Sequence, residues 1–145
     1  MDIVIYPVAF YRLMFGRAPE AVKASFKMAD TGVDEEVFAL FQTGSVTSVL
    51  TGSFRCALPN IGLVIGTKGR IELPSFWQST SAKRFEGESL VETFEDDRQG
   101  TGFEFEIEAA SRDILEGCKQ SEIASHAASL ALQEDMARIR AAASG

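Results

Sequence analysis

The spacing of apolar residues changes twice along the first half of the chain. Residues 8–15 are apolar except for Arg12 and are bracketed by Pro7 and Gly16. Pro7 suits a first helical turn, where its missing N–H is no loss, and Gly16, followed by Arg17-Ala18-Pro19, stops a helix. One short apolar helix is predicted between them. From residue 21 the period falls to two: Val22, Ala24, Phe26 and Met28 alternate with Lys23, Ser25 and Lys27. That alternation predicts a half-buried strand over 21–30 with one wet face. Thr31-Gly32-Val33-Asp34 reads as a turn, residues 36–42 as a second strand rich in Val37, Phe38, Leu40 and Phe41, and Thr43-Gly44-Ser45 as a hairpin. Residues 46–56 form a long β-prone stretch. Thr47, Val49, Thr51, Ser53 and Arg55 lie on one face and Val46, Ser48, Leu50, Phe54 and Cys56 on the other, so neither face is purely polar. Such a strand can lie beneath helices on one side and meet a ligand or a second subunit on the other.

Further on, residues 61–65 and 70–73 flank Gly66-Thr-Lys-Gly69, which is hairpin chemistry, and Pro74 ends the second of these strands. Residues 75–81 read as an irregular loop carrying two exposed aromatics, Phe76 and Trp77. Arg84-Phe85 and residues 90–94 predict two more short strands around Glu86-Gly87-Glu88, and residues 95–102 a polar, glycine-bearing loop. Ile107, Ala110, Ile114 and Leu115 then recur at helical spacing up to a stop at Gly117. A last helix, from about 125 to 142, is expected to bury Ala128, Leu132, Met136 and Ile139 along one stripe. Helix, run of strands, two helices: this order predicts an α+β fold, an open and mainly antiparallel sheet with helices packed on one face. It argues against a βαβ nucleotide fold. With no repeat, low-complexity tract or linker, residues 1–145 read as a single domain.

Composition narrows the function classes. The formal net charge is -7 and the 14 basic residues are scattered, which argues against sustained nucleic-acid binding. Cys56 and Cys118 stand far apart beside a single histidine, so no metal site is expected; both cysteines read as reduced, small core residues. Asp2 and Arg12 spoil a signal-peptide reading of the apolar start, and no run approaches the ~18 to 20 apolar residues that span a membrane. A cytoplasmic protein with no membrane partner is expected.

The pair that invites a chemical reading is Asp2 and Tyr6. Four apart, they share one face of a helical turn, and an extended segment before Pro7 would also set both on one side. A phenol at a helix start has its anion favoured by the local dipole and can act as a general acid, with the carboxylate orienting it or joining a proton relay. The plainer reading makes Tyr6 a core aromatic and Asp2 a helix-end charge. Phe76 and Trp77 can line a substrate mouth or an interface. His126 reads as a surface or capping group, and Glu104, Glu106 and Glu108 with Glu92, Glu95, Asp96 and Asp97 as a solvated face. Gly100-Thr-Gly102-Phe-Glu-Phe105 lacks the third glycine of a dinucleotide fingerprint, so no cofactor-binding residue is assigned.

Asp2-Ile-Val-Ile-Tyr6-Pro7, an apolar helix ending in Phe15-Gly16, Pro19 and Val22-Lys-Ala24 resemble the opening of the second domain of the glucose-fructose oxidoreductase, inositol dehydrogenase and MocA (Gfo/Idh/MocA) family. That family reads Asp-x-Gly-x-(His or Tyr) here. The likeness continues through Gly32-Val33-Asp34, Phe54-Arg55, Ile65-Gly66-Thr67-Lys68-Gly69-Arg70-Ile71, residues 106–117 and Asp135-Met136-Ala-Arg-Ile-Arg140. Val4 departs from the pattern, standing where the family usually has glycine; glycine allows backbone approaches that a β-branched residue does not. Tyrosine at the second motif position resembles the glucose-fructose oxidoreductase and dihydrodiol dehydrogenase branches. The resemblance implies a substrate-binding and oligomerisation domain of a dehydrogenase for a sugar, polyol or dihydrodiol-like alcohol. In it Tyr6 would exchange a proton with the substrate oxygen while NAD or NADP carries hydride. The Rossmann domain and the Glu-Lys-Pro stretch of the family do not occur in this sequence. That domain is therefore an expected partner, together with a small-molecule substrate and a second copy across the open sheet face, and the chain alone is expected to be cofactor-free and inactive. The alternative is a stand-alone, non-catalytic α+β module that pairs through its sheet or binds a small ligand.

Overall fold

The apolar opening forms a helix, α1 (Ile5–Phe15), capped by Gly16 in the left-handed conformation at φ 64, where its N–H bonds the Arg12 carbonyl. Glycine reaches that conformation without the Cβ clash other residues meet, so the helix stops where its sequence signal lies. Three strands follow: β1 (Ala21–Met28), β2 (Asp34–Thr43) and β3 (Val46–Ser53). All pair antiparallel in the order β1-β2-β3, and Thr43 opposite Val46 leaves Gly44-Ser45 as a two-residue turn. A second sheet, β4 (Ile61–Gly66), β5 (Gly69–Pro74), β6 (Ser81–Glu86) and β7 (Ser89–Glu95), is an antiparallel meander in sequence order. Two helices complete the chain, α2 (Phe103–Leu115) and α3 (His126–Ala143). This computed structural model describes residues 1–98 and 100–143. The α+β class and the antiparallel pairing agree with the sequence reading, but the strands sort into two sheets. The chain divides into two compact units, one of residues 1–58 with the C-terminal stretch from 124, the other of residues 59–123.

The first unit contains the buried core. Val4, Val8 and Tyr11 from the α1 region meet Val37, Ala39, Phe41 and Leu50 from β2 and β3, with Met136 and Ile139 from α3. These positions are what the periodicities require: residues 4, 8 and 11 recur at helical spacing, and 37, 39 and 41 alternate along a strand. Tyr11 stacks on Phe15, meets Phe41 edge-on with ring centroids 4.9 Å apart, and shares a 2.5 Å hydrogen bond with the Thr43 hydroxyl. One buried aromatic therefore joins helix to sheet with its polar end satisfied. Leu132 packs partly against this core, but Ala128, expected on the same stripe, is exposed. The buried face of α3 begins at its second turn. Ser125 caps the helix instead, its hydroxyl accepting the Ala128 N–H at 3.2 Å.

Val4 is accommodated by a glycine on the facing strand. A Cβ on Gly52 would lie 2.7 Å from Val4 Cγ2 and 3.4 Å from Ile3 Cγ2, and Val4 is buried. Val4 thus occupies the space left by the absent side chain of β3. Gly52→Ala should destabilise the protein by ~1–3 kcal/mol through overpacking, and Val4→Ala in the same chain should cost less than its effect alone adds. Urea midpoints of the two single variants and the double variant measure the coupling; strict additivity would show that the two residues do not compete for this space.

In the second unit α2 buries none of its residues; Phe103, Ile107, Ile114 and Leu115 are all exposed. Both cysteines are exposed too, which corrects their expected place in the core. Cys56 follows the end of β3 and Cys118 follows the Gly117 stop of α2, so each sits on a connection and not on an element's inward face.

Candidate active site

The α1 region is pinned on one side and open on the other. Val4 caps the helix in a helical conformation without a side-chain bond, the Tyr6 N–H reaches the Ile3 carbonyl at 3.3 Å, and the Val8 N–H reaches the Val4 carbonyl at 3.2 Å. Pro7 lies in this first turn, where a missing donor costs nothing. Val4 and Val8 point into the core, so Tyr6, about 200° around the helix from both, points outward. Tyr6 is 49% exposed and Asp2, two residues ahead of the cap, is exposed as well. A carboxylate and a phenol therefore stand at one end of a rigidly anchored helix, where the helix dipole favours negative charge.

Phe76 and Trp77 lie in the other unit, on the connection between β5 and β6. Trp77 is exposed and Phe76 is half-buried. Their turn is bonded from the Gln78 N–H to the Ser75 carbonyl at 2.8 Å, with Ser75 at φ 49. Here the loop expected from sequence is an ordered turn.

Sequence reasoning missed the ion pair that ties α1 to α3. Arg12 donates to Asp135 at 2.5 Å and to the Ala131 carbonyl at 3.1 Å, and Asp135 is fully buried. Arg138 continues the tie to the carbonyls of Pro19 and Glu20. A signal was present: residue 135 falls between 132, 136 and 139 on the apolar stripe of α3, so an acid there must meet a cation.

A concavity of about 410 Å³ around the β4–β5 turn is lined by Val64, Ile71, Phe85, Lys68, Arg70 and Arg84. Its arginines are already engaged. Arg70 pairs with Glu72 and lies 4.1 Å over the Phe85 ring, and Arg84 pairs with Glu86 and Glu92. Hydrogen bonds to those glutamates, Glu92 before Glu86 for Arg84, push both guanidinium pKa values up. The two arginines are therefore already neutralised within the hollow. Among the described residues both sheets are antiparallel, and the first turn of α2 carries Glu104 and Glu106, which repel phosphate. Among the described residues no group of three or more His, Cys, Asp or Glu could hold a metal, and no helix is long and apolar enough to cross a membrane.

An antiparallel α+β domain with this helix at its head recurs in known oxidoreductases. Residues 1–72 match the model of the GFO/IDH/MocA C-terminal domain. The trans-1,2-dihydrobenzene-1,2-diol dehydrogenase of Xenopus laevis is 35% identical over 134 residues, 86% of this chain and 40% of the relative. That of Danio rerio is 33% identical over 148 residues, 97% of this chain and 44% of the relative. Among solved structures, the UDP-N-acetylglucosamine 3-dehydrogenase of Acidithiobacillus ferrooxidans matches with a TM-score of 0.79 at 15% identity, over 99% of this chain and 46% of that one. The aldose-aldose oxidoreductase of Caulobacter crescentus, complexed with glycerol, matches with a TM-score of 0.73 at 22% identity, over 96% and 43%. At these identities the structural likeness is one of fold. The chain is thus of the class of oxidoreductase C-terminal domains, and it belongs to the GFO/IDH/MocA family. It spans less than half the length of the curated relatives it matches.

Proposed function

We propose that this chain is the substrate-binding and dimerisation domain of an NAD(P)-dependent oxidoreductase that interconverts an alcohol and a carbonyl in a sugar, polyol or dihydrodiol-like substrate. The observation that carries the reading is the exposed Asp2 and Tyr6 pair at the head of an anchored helix, in a chain whose relatives are dihydrodiol dehydrogenases. Tyr6 exchanges a proton with the substrate oxygen, and Asp2 orients the phenol or relays that proton. Phe76 and Trp77, in the other unit, are proposed by themselves as apolar surface for a substrate. When bound by a Rossmann domain outside this sequence, NAD or NADP would supply the hydride chemistry. Without that domain the isolated chain is inactive. The proposed compartment is the cytoplasm.

Turnover tests the reading. With its dinucleotide-binding half attached, the protein should reduce NAD or NADP in the presence of trans-1,2-dihydrobenzene-1,2-diol, a polyol or an aldose. Failure with all three classes contradicts it.

Dimerisation is supported by the outer face of the β1-β2-β3 sheet. Leu40 and Val49 are register partners there, with Phe38 two residues along, and all three are exposed, Val49 by 69%. A contiguous apolar patch on an otherwise hydrophilic outer face suits a second copy meeting it face to face. Val49→Glu should convert the dimer to monomer in sedimentation, because each copy would bury an unpaired carboxylate. A wild-type protein that sediments as a monomer at micromolar concentration would exclude the interface.

A further inference from the structure

The turn bearing Phe76 and Trp77 joins β5, which ends at Pro74, to β6, which begins at Ser81. It is a turn the chain does not adopt cheaply, because Ser75 occupies the left-handed region at φ 49. A side chain from the polar connection after β7 clasps it. One nitrogen of Arg98, Nη2, donates to the Gln78 carbonyl at 2.8 Å and to the adjacent Ser79 carbonyl, reaching back 20 and 19 residues. Arg98 is only 17% exposed, and its charge is met by Asp96, 3.6 Å from Nε. Asp96 closes the circuit: its N–H donates to the Thr80 carbonyl at 2.8 Å, and its Oδ1 accepts the Arg98 N–H at 3.1 Å. Ser79 adds a bond from its hydroxyl to the Ser81 carbonyl at 2.7 Å. Consecutive carbonyls in a turn need donors, and a guanidinium with a fixed fork supplies them at little further loss of freedom.

From this geometry we infer that Arg98 is a positioning residue, which clasps the turn of residues 75–80 so that Trp77 and Phe76 present a preformed wall to substrate. The inference rests on the substrate role proposed above for those two rings. Nothing in the composition of residues 95–102 marks it; the clasp becomes visible only when the connection is folded against the turn.

Trp77 is the single tryptophan of the sequence, so its fluorescence reports on the turn directly. In the full 145-residue chain Arg98→Met keeps most of the apolar stem and removes the fork. Emission should move to longer wavelength and acrylamide quenching should rise about twofold as the turn loosens, with the far-ultraviolet circular dichroism retained. Arg98→Lys, which keeps the charge and can bond one carbonyl, should fall between wild type and Arg98→Met. Unchanged emission and quenching in a folded Arg98→Met protein would overturn the clasp. A titration with trans-1,2-dihydrobenzene-1,2-diol, read by the same emission, tests the wall. Saturation in wild type and ~10-fold weaker binding in Arg98→Met are expected, since a disordered wall must be ordered on binding. Equal affinities would overturn the positioning role. No response in wild type would overturn the substrate role of Trp77, leaving the emission comparison to decide the clasp by itself.

Discussion

Arg12→Met should lower the stability of the unit that holds α1, α3 and the β1-β2-β3 sheet by about 3–5 kcal/mol, because it strands a fully buried carboxylate. Asp135 has no exposed surface, and its Oδ2 is held at 2.5 Å by Arg12. Its Oδ1 has no hydrogen-bond partner among the described residues; the Arg138 guanidinium, 3.9 Å away, offers only charge. Removing Arg12 therefore leaves most of the desolvation cost of the carboxylate without its compensation. Methionine keeps the stem volume, which separates the lost charge from lost packing. A urea titration followed by circular dichroism should show a lower midpoint with an unchanged slope. Replacing both partners, as Arg12→Met with Asp135→Leu, should recover most of the loss. If the single variant were as stable as wild type, the pair would not hold α3 to α1.

Much of this architecture was legible because local signals and tertiary demands agree. Pro7 and Gly16 bracket the first helix, the alternation from Val22 to Met28 marks a strand, and Gly44-Ser45 turns between β2 and β3 as their flanks require. What escaped was set by partners distant in sequence. Nothing local distinguishes an apolar strand that continues one sheet from one that opens another, so the division between β3 and β4 could not be read. Burial of Asp135 depends on Arg12, 123 residues away, and Arg98 finds its carbonyls 19 and 20 residues back. The cysteines misled for the opposite reason: the average preference of cysteine for interiors says nothing of a residue placed just after an element ends. In the candidate site, the spacing of Asp2 and Tyr6 suggested a pair, and the structure exposes both. The outward direction of Tyr6 follows only once Val4 and Val8 are known to face the core.

The account turns on proton transfer by Tyr6, and the change that isolates it is Tyr6→Phe in the protein carrying both this chain and its dinucleotide-binding half. The substitution removes one oxygen from an exposed side chain on the outer side of α1 and leaves the buried stripe of Val4, Val8 and Tyr11 intact, so the fold should be unaffected. A proton that moves in the transition state contributes little to ground-state binding. Loss of the phenol should therefore fall on kcat, by ~10² to 10⁴-fold, with KM nearly unchanged. Asp2→Asn, which leaves the phenol but removes the proposed orienting charge, should fall between this variant and wild type. Steady-state turnover of the diol by Tyr6→Phe is the direct measurement. A kcat reduced by two or more orders of magnitude at an unchanged KM is the predicted result, and a kcat equal to that of the wild type would remove Tyr6, and the proposed site with it, from the reaction.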